Sequence, residues 1–377
     1  MPEKNRVYRA RIEGYTSEGL GVARIDGQAV FVHRALRGED CDVLILKVLK
    51  NAAFGKAVRV YEPSPHRVEP DCPYYGRCGG CNFRHMDRTE ELAAKRQRVQ
   101  DALRRIGGSA VTVEGIDGGA PLHYRNKSQY PVAADGSVGF YKARSHQVVP
   151  VTQCLIQKPQ ADAAAQALRT YIASCGVSCY DEKTRRGLVR HLYIRTNGAG
   201  QSLICVVVNG KKLPREEELV RLLRQAAPET VGVVLGVNTQ PTGAVLGTEY
   251  RTLWGADVLT DTLCGLTFRL SVPSFYQVNR EMAERLYVRA VEFAGLTGTE
   301  TVLDLYCGAG TITQVMARHA GRVIGAEIVP EAIEDAKANA KRNNVENVEF
   351  FCGDASAVAA DLAARGLRPD VICVDQP

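Results

Sequence analysis

The sequence predicts a multidomain α/β protein: a small N-terminal β-barrel, a central α+β region carrying a cysteine loop, and a C-terminal doubly wound parallel sheet left incomplete. Three observations carry that prediction. Short, glycine-punctuated strand patterns crowd the first 62 residues, three cysteines cluster just beyond them, and strand and helix patterns alternate from residue 281 onward.

The barrel comes first. V-Y-R-A-R-I-E-G-Y alternates, G-Y-T-S-E-G-L-G-V-A-R-I-D-G-Q-A-V-F-V is broken by glycines at turn intervals, and C-D-V-L-I-L-K-V-L-K and A-F-G-K-A-V-R-V-Y add two more strands. Five short strands in residues 4–62 suit a closed barrel of the OB type, a shape that binds single-stranded nucleic acid on one face. Lys47, Lys50, Lys56 and Arg59 would then contact phosphates, or simply solvate the surface.

Pro63, Pro65 and Pro70 mark a linker, and C-P-Y-Y-G-R-C-G-G-C follows, with Cys72, Cys78 and Cys81 spaced to surround one metal centre. A fourth ligand is needed. Cys154, in V-T-Q-C-L-I-Q, is the candidate, because a tight group of three with one remote cysteine suits a 4Fe-4S cluster better than zinc, whose knuckles pair two close C-x2-C units. The competing reading is a set of reduced thiols behaving as small apolar residues.

From Asp87 to Ile106 an amphipathic helix is expected, with Leu92, Val99, Leu103 and Ile106 on one face and Gly107 and Gly108 stopping it; it would cover the cysteine loop. The central region, 63–270, then mixes strands (R-N-K-S-Q-Y-P-V, G-S-V-G-F-Y, L-V-R-H-L-Y-I-R-T, S-L-I-C-V-V-V-N) with helices (A-D-A-A-A-Q-A-L-R-T-Y-I-A and R-E-E-E-L-V-R-L-L-R-Q). Residues 271–377 form the last domain.

Composition bounds the function. With 377 residues, 45% hydrophobic and 24% charged, the chain can build two or three cores, and it contains neither a disordered tract nor a run approaching a membrane span. No apolar leader follows the N-terminal Met-Pro-Glu-Lys. Together with twelve cysteines this points to a reducing, cytoplasmic setting. Charge is divided unevenly: residues 1–200 hold 31 Lys+Arg against 20 Asp+Glu, and residues 201–377 hold 17 against 22. A basic front joined to an acidic back suits a polyanion-binding part attached to a module for a small ligand.

In the C-terminal domain the strands T-V-L-D-L, R-V-I-G-A-E, V-E-F-F-C-G-D and D-V-I-C-V-D alternate with helices, so a binding crevice is expected beyond the strand C-termini. The first turn, D-L-Y-C-G-A-G-T, supplies Gly308 and Gly310, but a dinucleotide fingerprint would next need Gly or Ala where Thr313 stands. Acids end all four strands: Asp304, Glu327, Asp354 and Asp375. Glu327 is placed for ribose hydroxyls, Asp354 for an adenine edge and Asp375 for the reacting end. That set fits S-adenosylmethionine (SAM), a cation without phosphates, better than NAD. Upstream, S-V-P-S-F-Y-Q-V-N offers Gln277 and Asn279 beside Phe275 and Tyr276 as a lid over the methionine end.

Taken together, the barrel, the C-x5-C-x2-C loop with its remote cysteine, S-F-Y-Q-V-N, D-L-Y-C-G-A-G-T and G-A-E-I-V-P-E-A-I resemble the RNA uracil-5-methyltransferases of the iron-sulfur type, which modify ribosomal RNA. The resemblance implies a TRAM barrel over 4–62, a 4Fe-4S cluster on Cys72, Cys78, Cys81 and Cys154, and SAM contacts from Gln277, Tyr306, Thr311, Glu327, Asp354 and Asp375. It also implies addition of a cysteine thiolate to uracil C6, methylation at C5 and removal of the C5 proton, on a base turned out of its stack. The partner would be RNA, with no membrane and no obligate protein partner.

Two departures stand out. Where the family has Asp-Pro-Pro-Arg this chain has Asp375, Gln376 and Pro377, and no residue matches the family's nucleophilic cysteine or its base, which lie further downstream. Cys307, Cys352 and Cys373 read as structural. The expectation is therefore a chain inactive as written, with an apolar edge strand near 370–375; the alternative is an RNA-binding iron-sulfur protein without turnover. A radical-SAM enzyme is disfavoured, since it would use C-x3-C-x2-C.

Overall fold

The computed structural model describes residues 1–375. They form two compact units, one comprising Met1–Pro121 and Phe140–Val149, the other Leu122–Gly139 and the chain from Pro150 onward.

In the first unit, period-two alternation of apolar and polar residues builds six strands: β1 (Val7–Arg11), β2 (Gly14–Tyr15), β3 (Gly21–Ile25), β4 (Gln28–His33), β5 (Asp40–Val48) and β6 (Ala52–Glu62). They order as β1-β5-β6-β4-β3-β2, with β4 and β6 parallel and the other pairs antiparallel. One side of this barrel-like sheet buries Ile12, Ala23, Val30, Val32, Cys41, Val43, Ile45 and Ala53. Beneath it lies a charge. Glu39 is fully buried and accepts from the Arg67 guanidinium at 2.6 and 2.7 Å, from Leu36 N at 2.8 Å and from Ser64 N at 3.2 Å. Burial alone would raise its pKa, but Arg67 and the two N–H groups outweigh burial and hold it below the usual carboxylate range.

The cysteine loop requires a correction. Among the described residues no three His, Cys, Asp or Glu side chains converge to hold a metal ion, so neither the 4Fe-4S cluster nor a Cys-cluster site on Cys72, Cys78, Cys81 and Cys154 stands. The first three belong to the first unit and Cys154 to the second. Hydrogen bonds and ion pairs hold the loop instead. Tyr75 N donates to Cys72 O at 3.0 Å, Cys78 N to Tyr74 O at 2.9 Å and Gly79 N to Tyr141 O at 2.9 Å. Tyr75 donates its hydroxyl to Asn82 O and lies 2.6 Å from His85 Nδ1, while Arg84 grips Asp71 with two nitrogens. Burial pushes the Cys78 thiol pKa up, favouring the neutral thiol over the thiolate that a metal needs.

Helix α1 (Arg88–Arg105) starts where expected, Asp87 capping it by accepting from Glu90 N at 2.9 Å. Its buried side is not the apolar one. Val99 and Ile106 are exposed, whereas Glu90 and Ala94 are buried, because Glu90 accepts from Tyr15 at 2.7 Å and from Arg37 at 3.1 Å. A paired buried carboxylate decides the orientation that the hydrophobic stripe alone predicts differently.

The second unit begins with β7 (Lys127–Pro131); the paired strands β8 (Gly139–Tyr141) and β9 (Val148–Pro150) that follow fall chiefly in the first unit, and the second continues with helix α2 (Pro159–Cys175), β10 (Val189–Thr196), β11 (Ser202–Val208), α3 (Glu216–Ala226), β12 (Thr230–Val237) and β13 (Glu249–Gly255). The sheet β13-β12-β11-β10-β7 has one parallel pair, β11 with β12, bridged by α3. Strands β10 and β11 are buried along their whole length, which explains the nearly unbroken apolar run of β11, while β10 buries Arg190, His191 and Arg195 among its apolar residues.

A hairpin, β14 (Val258–Leu263) and β15 (Leu266–Ser271), leads to α4 (Arg280–Ala294) and then to β16 (Thr301–Leu305), α5 (Thr311–Ala317), β17 (Arg322–Glu327), α6 (Pro330–Arg342), β18 (Val348–Cys352), α7 (Ala355–Ala364) and β19 (Val371–Val374). The sheet β18-β17-β16-β19 is parallel throughout, as the alternating pattern predicts. Leu263, Phe268, Leu270, Tyr276 and Tyr287 pack with Val302, Val315 and Val323 in one core, so the hairpin and α4 are built into the parallel sheet.

Glu39→Ala should lower stability by about 1–3 kcal/mol, the usual cost of leaving buried and half-buried donors without their acceptor. Urea unfolding would measure it, and an unchanged midpoint would refute the role given to this pair. Because its folded pKa is depressed, the contribution of Glu39 is present above the unfolded carboxylate range and lost as pH falls through the folded value.

Candidate functional site

Three of five consecutive residues after β16 have positive φ: Tyr306 (68°), Gly308 (54°) and Gly310 (73°). Each has a different reason. At Gly310 a Cβ would lie 3.0 Å from Ala336 Cβ and 3.1 Å from the Phe350 ring, so α6 and β18 press on the turn. At Gly308 a Cβ would meet nothing within 4 Å; its bare backbone faces open space, as a ligand cradle requires. Tyr306 has no such freedom, and its left-handed backbone stores of order 1 kcal/mol of strain.

Glu327, at the end of β17, ties this turn down. Its Oε2 accepts from Gly308 N at 3.1 Å and its Oε1 from Val329 N at 3.0 Å, which fixes the carboxylate at the mouth of the parallel sheet. Asp304 lies deeper. It is fully buried, Thr313 donates to its Oδ2, and its Oδ1 has no partner. Burial raises its pKa to about 7; the Thr313 hydroxyl opposes that shift, while Asp375 and Glu327 add to it. Gln277 Nε2 donates to Asp375 Oδ2 at 3.3 Å, and Tyr287 and Thr311 share a hydroxyl contact of 3.0 Å. Above the buried Asp304, the Glu327 and Asp375 carboxylates at the ends of the parallel strands give this edge a negative field suited to a cation.

Asp354 is used differently from the other strand-end acids. Its Oδ1 accepts from Ser356 N and Ala357 N, both at 3.0 Å, capping α7. The thiols near the crevice are poor nucleophiles. Burial first, and Asp304 with it, raises the pKa of Cys307, and the same two causes with Asp375 push Cys373 up to about 12. The altered turn at Gln376 and Pro377 lies outside the described residues.

The loop carrying Gln277 is held from a distance. Asn126 Nδ2 donates to Gln277 O at 3.0 Å and Asn126 N to Val278 O at 2.8 Å, while the Arg195 guanidinium donates to Val272 O at 3.4 Å and to Ser274 O. Tyr276 is buried and donates to Asp261 Oδ2 at 3.1 Å, Phe275 is exposed, and Asn279 caps α4. Sequence reasoning missed Asn126, Arg195, Asp261 and Tyr287. Asn126 and Gln277 stand 151 residues apart, and only the sheet brings them together.

Comparison with known proteins accounts for this arrangement. Residues 296–376 match a methyltransferase domain and residues 3–58 a TRAM domain. An RNA methyltransferase of Clostridium tetani is 42% identical over 380 residues, covering 100% of this chain and 83% of that protein. One from Halalkalibacterium halodurans is 41% identical over 380 residues, covering 99% of this chain and 83% of that protein. The chain belongs to the SAM-dependent RNA methyltransferase family. The same fold occurs in the crystal structure of Pyrococcus abyssi tRNA (uracil-54, C5)-methyltransferase with S-adenosyl-L-homocysteine, with a TM-score of 0.74 and 22% identity over 92% of this chain and 79% of that one. The iron-sulfur type to which the motifs point is corrected by the same donor geometry that removes the cluster. No helix among the described residues is long and apolar enough to cross a membrane.

In this methyltransferase the unfolded chain releases the Asp304 proton from about pH 4 upward, while the folded chain keeps it to about pH 7. The stabilising difference therefore declines as pH rises through that window and is flat above it. Asp304→Asn, whose amide oxygen can still accept from Thr313, should abolish this declining component in thermal melts. An unchanged pH slope would contradict the buried-acid assignment.

Proposed function

We propose that this methyltransferase binds SAM in the crevice after β16 and directs its methyl group to C5 of uracil in ribosomal RNA. The observation that carries the reading is the Glu327 carboxylate, fixed by two backbone N–H groups beside the open face of Gly308 within an acidic surround. Bound SAM supplies an electrophilic methyl group on a sulfonium. Glu327 accepts hydrogen bonds from ribose hydroxyls, Asp354 meets the adenine edge, Tyr306 and Thr311 line the turn, and Gln277 with Asp375 orients the reacting end. The three segments 1–62, 63–270 and 271–377 then serve RNA binding, base presentation and donor binding in the cytoplasm.

Uracil C5 is a weak nucleophile, so the reading includes thiolate addition at C6, formation of the C5–methyl bond as the donor's sulfur–methyl bond breaks and leaves a neutral thioether, loss of the C5 proton to a base, and departure of the thiolate. Neither Cys307 nor Cys373, the described thiols beside the crevice, suits that role. Uracil as the target is supported by the motif resemblance and by the fold shared with an enzyme whose structure is described as acting on tRNA uracil-54. Ribosomal RNA rests on the motifs alone.

Two measurements test this. Glu327→Gln should weaken SAM binding by about tenfold to a hundredfold in calorimetry, the worth of a hydrogen bond to a charged acceptor; unaltered affinity would remove Glu327 from the site. Deleting the gene in its host should abolish 5-methyluridine at one or more ribosomal RNA positions by mass spectrometry. Loss from transfer RNA instead would overturn the target, and loss of a different methylated nucleoside would overturn the chemistry.

A further inference from the structure

The barrel core takes Val30, Val32, Ala53 and Gly55, so strand alternation turns Phe31 and Phe54 to the opposite face. There they are directly paired across the parallel strands β4 and β6, with ring centroids 5.3 Å apart and planes tilted by 57°. Neither ring can join the core from that side, and both remain half-buried. Cations surround them. Arg144, from the loop between β8 and β9 that belongs to the same unit, stands over Phe54 at 5.7 Å and is held there by Glu18 at 3.0 Å. Lys56 pairs with His33 two residues along the strands, and Lys47 pairs with Phe54 from β5. Burial, Arg144 and Arg34 all lower the pKa of His33, a sign of the positive field at this edge.

The whole formal excess of positive charge lies in this unit, which carries 22 Lys+Arg against 16 Asp+Glu while the remainder of the chain is balanced. A cationic rim around two outward aromatic rings matches a single-stranded polyanion that carries its own flat rings. Resting on the RNA methyltransferase reading, we propose that the Phe31/Phe54 face of the barrel is a base-stacking platform for single-stranded RNA, with Arg144, Lys56 and Lys47 taking the phosphates on either side. Of the other barrel aromatics, Tyr15 is tied to Glu90 and Tyr61 is engaged elsewhere. Tyr61 already lies against two guanidinium groups, Arg9 at 4.4 Å and Arg59 at 4.6 Å, and donates its hydroxyl to Asp42.

The test uses the full chain and a short uridine-rich RNA containing 2-aminopurine, whose fluorescence is quenched when it stacks. Phe31→Leu and Phe54→Leu keep apolar bulk while removing the π-face. Each should weaken binding by about tenfold and relieve the quenching, and Phe54→Trp should restore both. Arg144→Gln should make the salt dependence shallower by about 0.7 in its logarithmic slope, and Tyr61→Leu should leave the quenching unaltered. Wild-type affinity and quenching in the Phe31→Leu/Phe54→Leu double variant would overturn the platform, as would equal, Phe-independent binding of a duplex of the same length. Calorimetry with SAM on the same variants separates the two readings. Intact SAM binding with no stacking signal rejects the platform alone, and lost SAM binding in the wild-type chain with stacking preserved rejects the crevice alone.

Discussion

The pair of hydrogen bonds from Gly308 N and Val329 N to the Glu327 carboxylate is the constraint on which the turn after β16 depends. It joins the ends of two adjacent parallel strands, holds the turn after β16 in its left-handed path, and points an acid at the crevice. It works together with Cys307 N donating to Ala326 O at 3.0 Å and Gly310 N to Cys307 O at 2.9 Å to hold three positive-φ residues in close succession. Asp304 contributes differently: buried, half-satisfied and shifted to about 7, it sits where added negative charge is least welcome. Its neighbours Glu327 and Asp375 make the crevice a place where positive charge lowers the energy of the site.

The 271–279 loop and the central sheet are one construction. Arg195 on β10 and Asn126 beside β7 reach the 271–279 loop through its backbone carbonyls, so the position of Gln277 is set by residues of a different sheet. Backbone acceptors make this coupling insensitive to the loop's side chains, yet sensitive to any change in the strands that present the two donors. Tyr276, buried and bonded to Asp261, adds an anchor from the β14–β15 hairpin.

The cysteine loop shows the limit of spacing as evidence. Cys72, Cys78 and Cys81 have the sequence separation of cluster ligands, but a ligand set is a statement about sulfur positions, and these do not converge with other donors. Glycines that would let a loop wrap a metal also let it make tight turns: Gly76 lies against the Arg34 guanidinium and Gly79 bonds Tyr141. Helix α1 carries the same lesson. Its apolar stripe was legible, but the buried partners of Glu90, Tyr15 and Arg37, lie in the barrel more than fifty residues earlier.

Local pattern by itself determined the outward and inward faces of the barrel strands, the parallel order of strand and helix after residue 300, the start of α1 at Asp87, and the Gly308 turn with its strand-end acids, because each is governed by residues within a few positions of one another. Tertiary structure alone decided which acid would be buried and protonated, which would cap a helix, which thiols would fail to meet, and which distant side chains would grip the Gln277 loop. Burial, field and hydrogen-bond partnership are properties of neighbours in space, and for Asp304, Asp354, Cys78 and Asn126 the sequence does not say who those neighbours are.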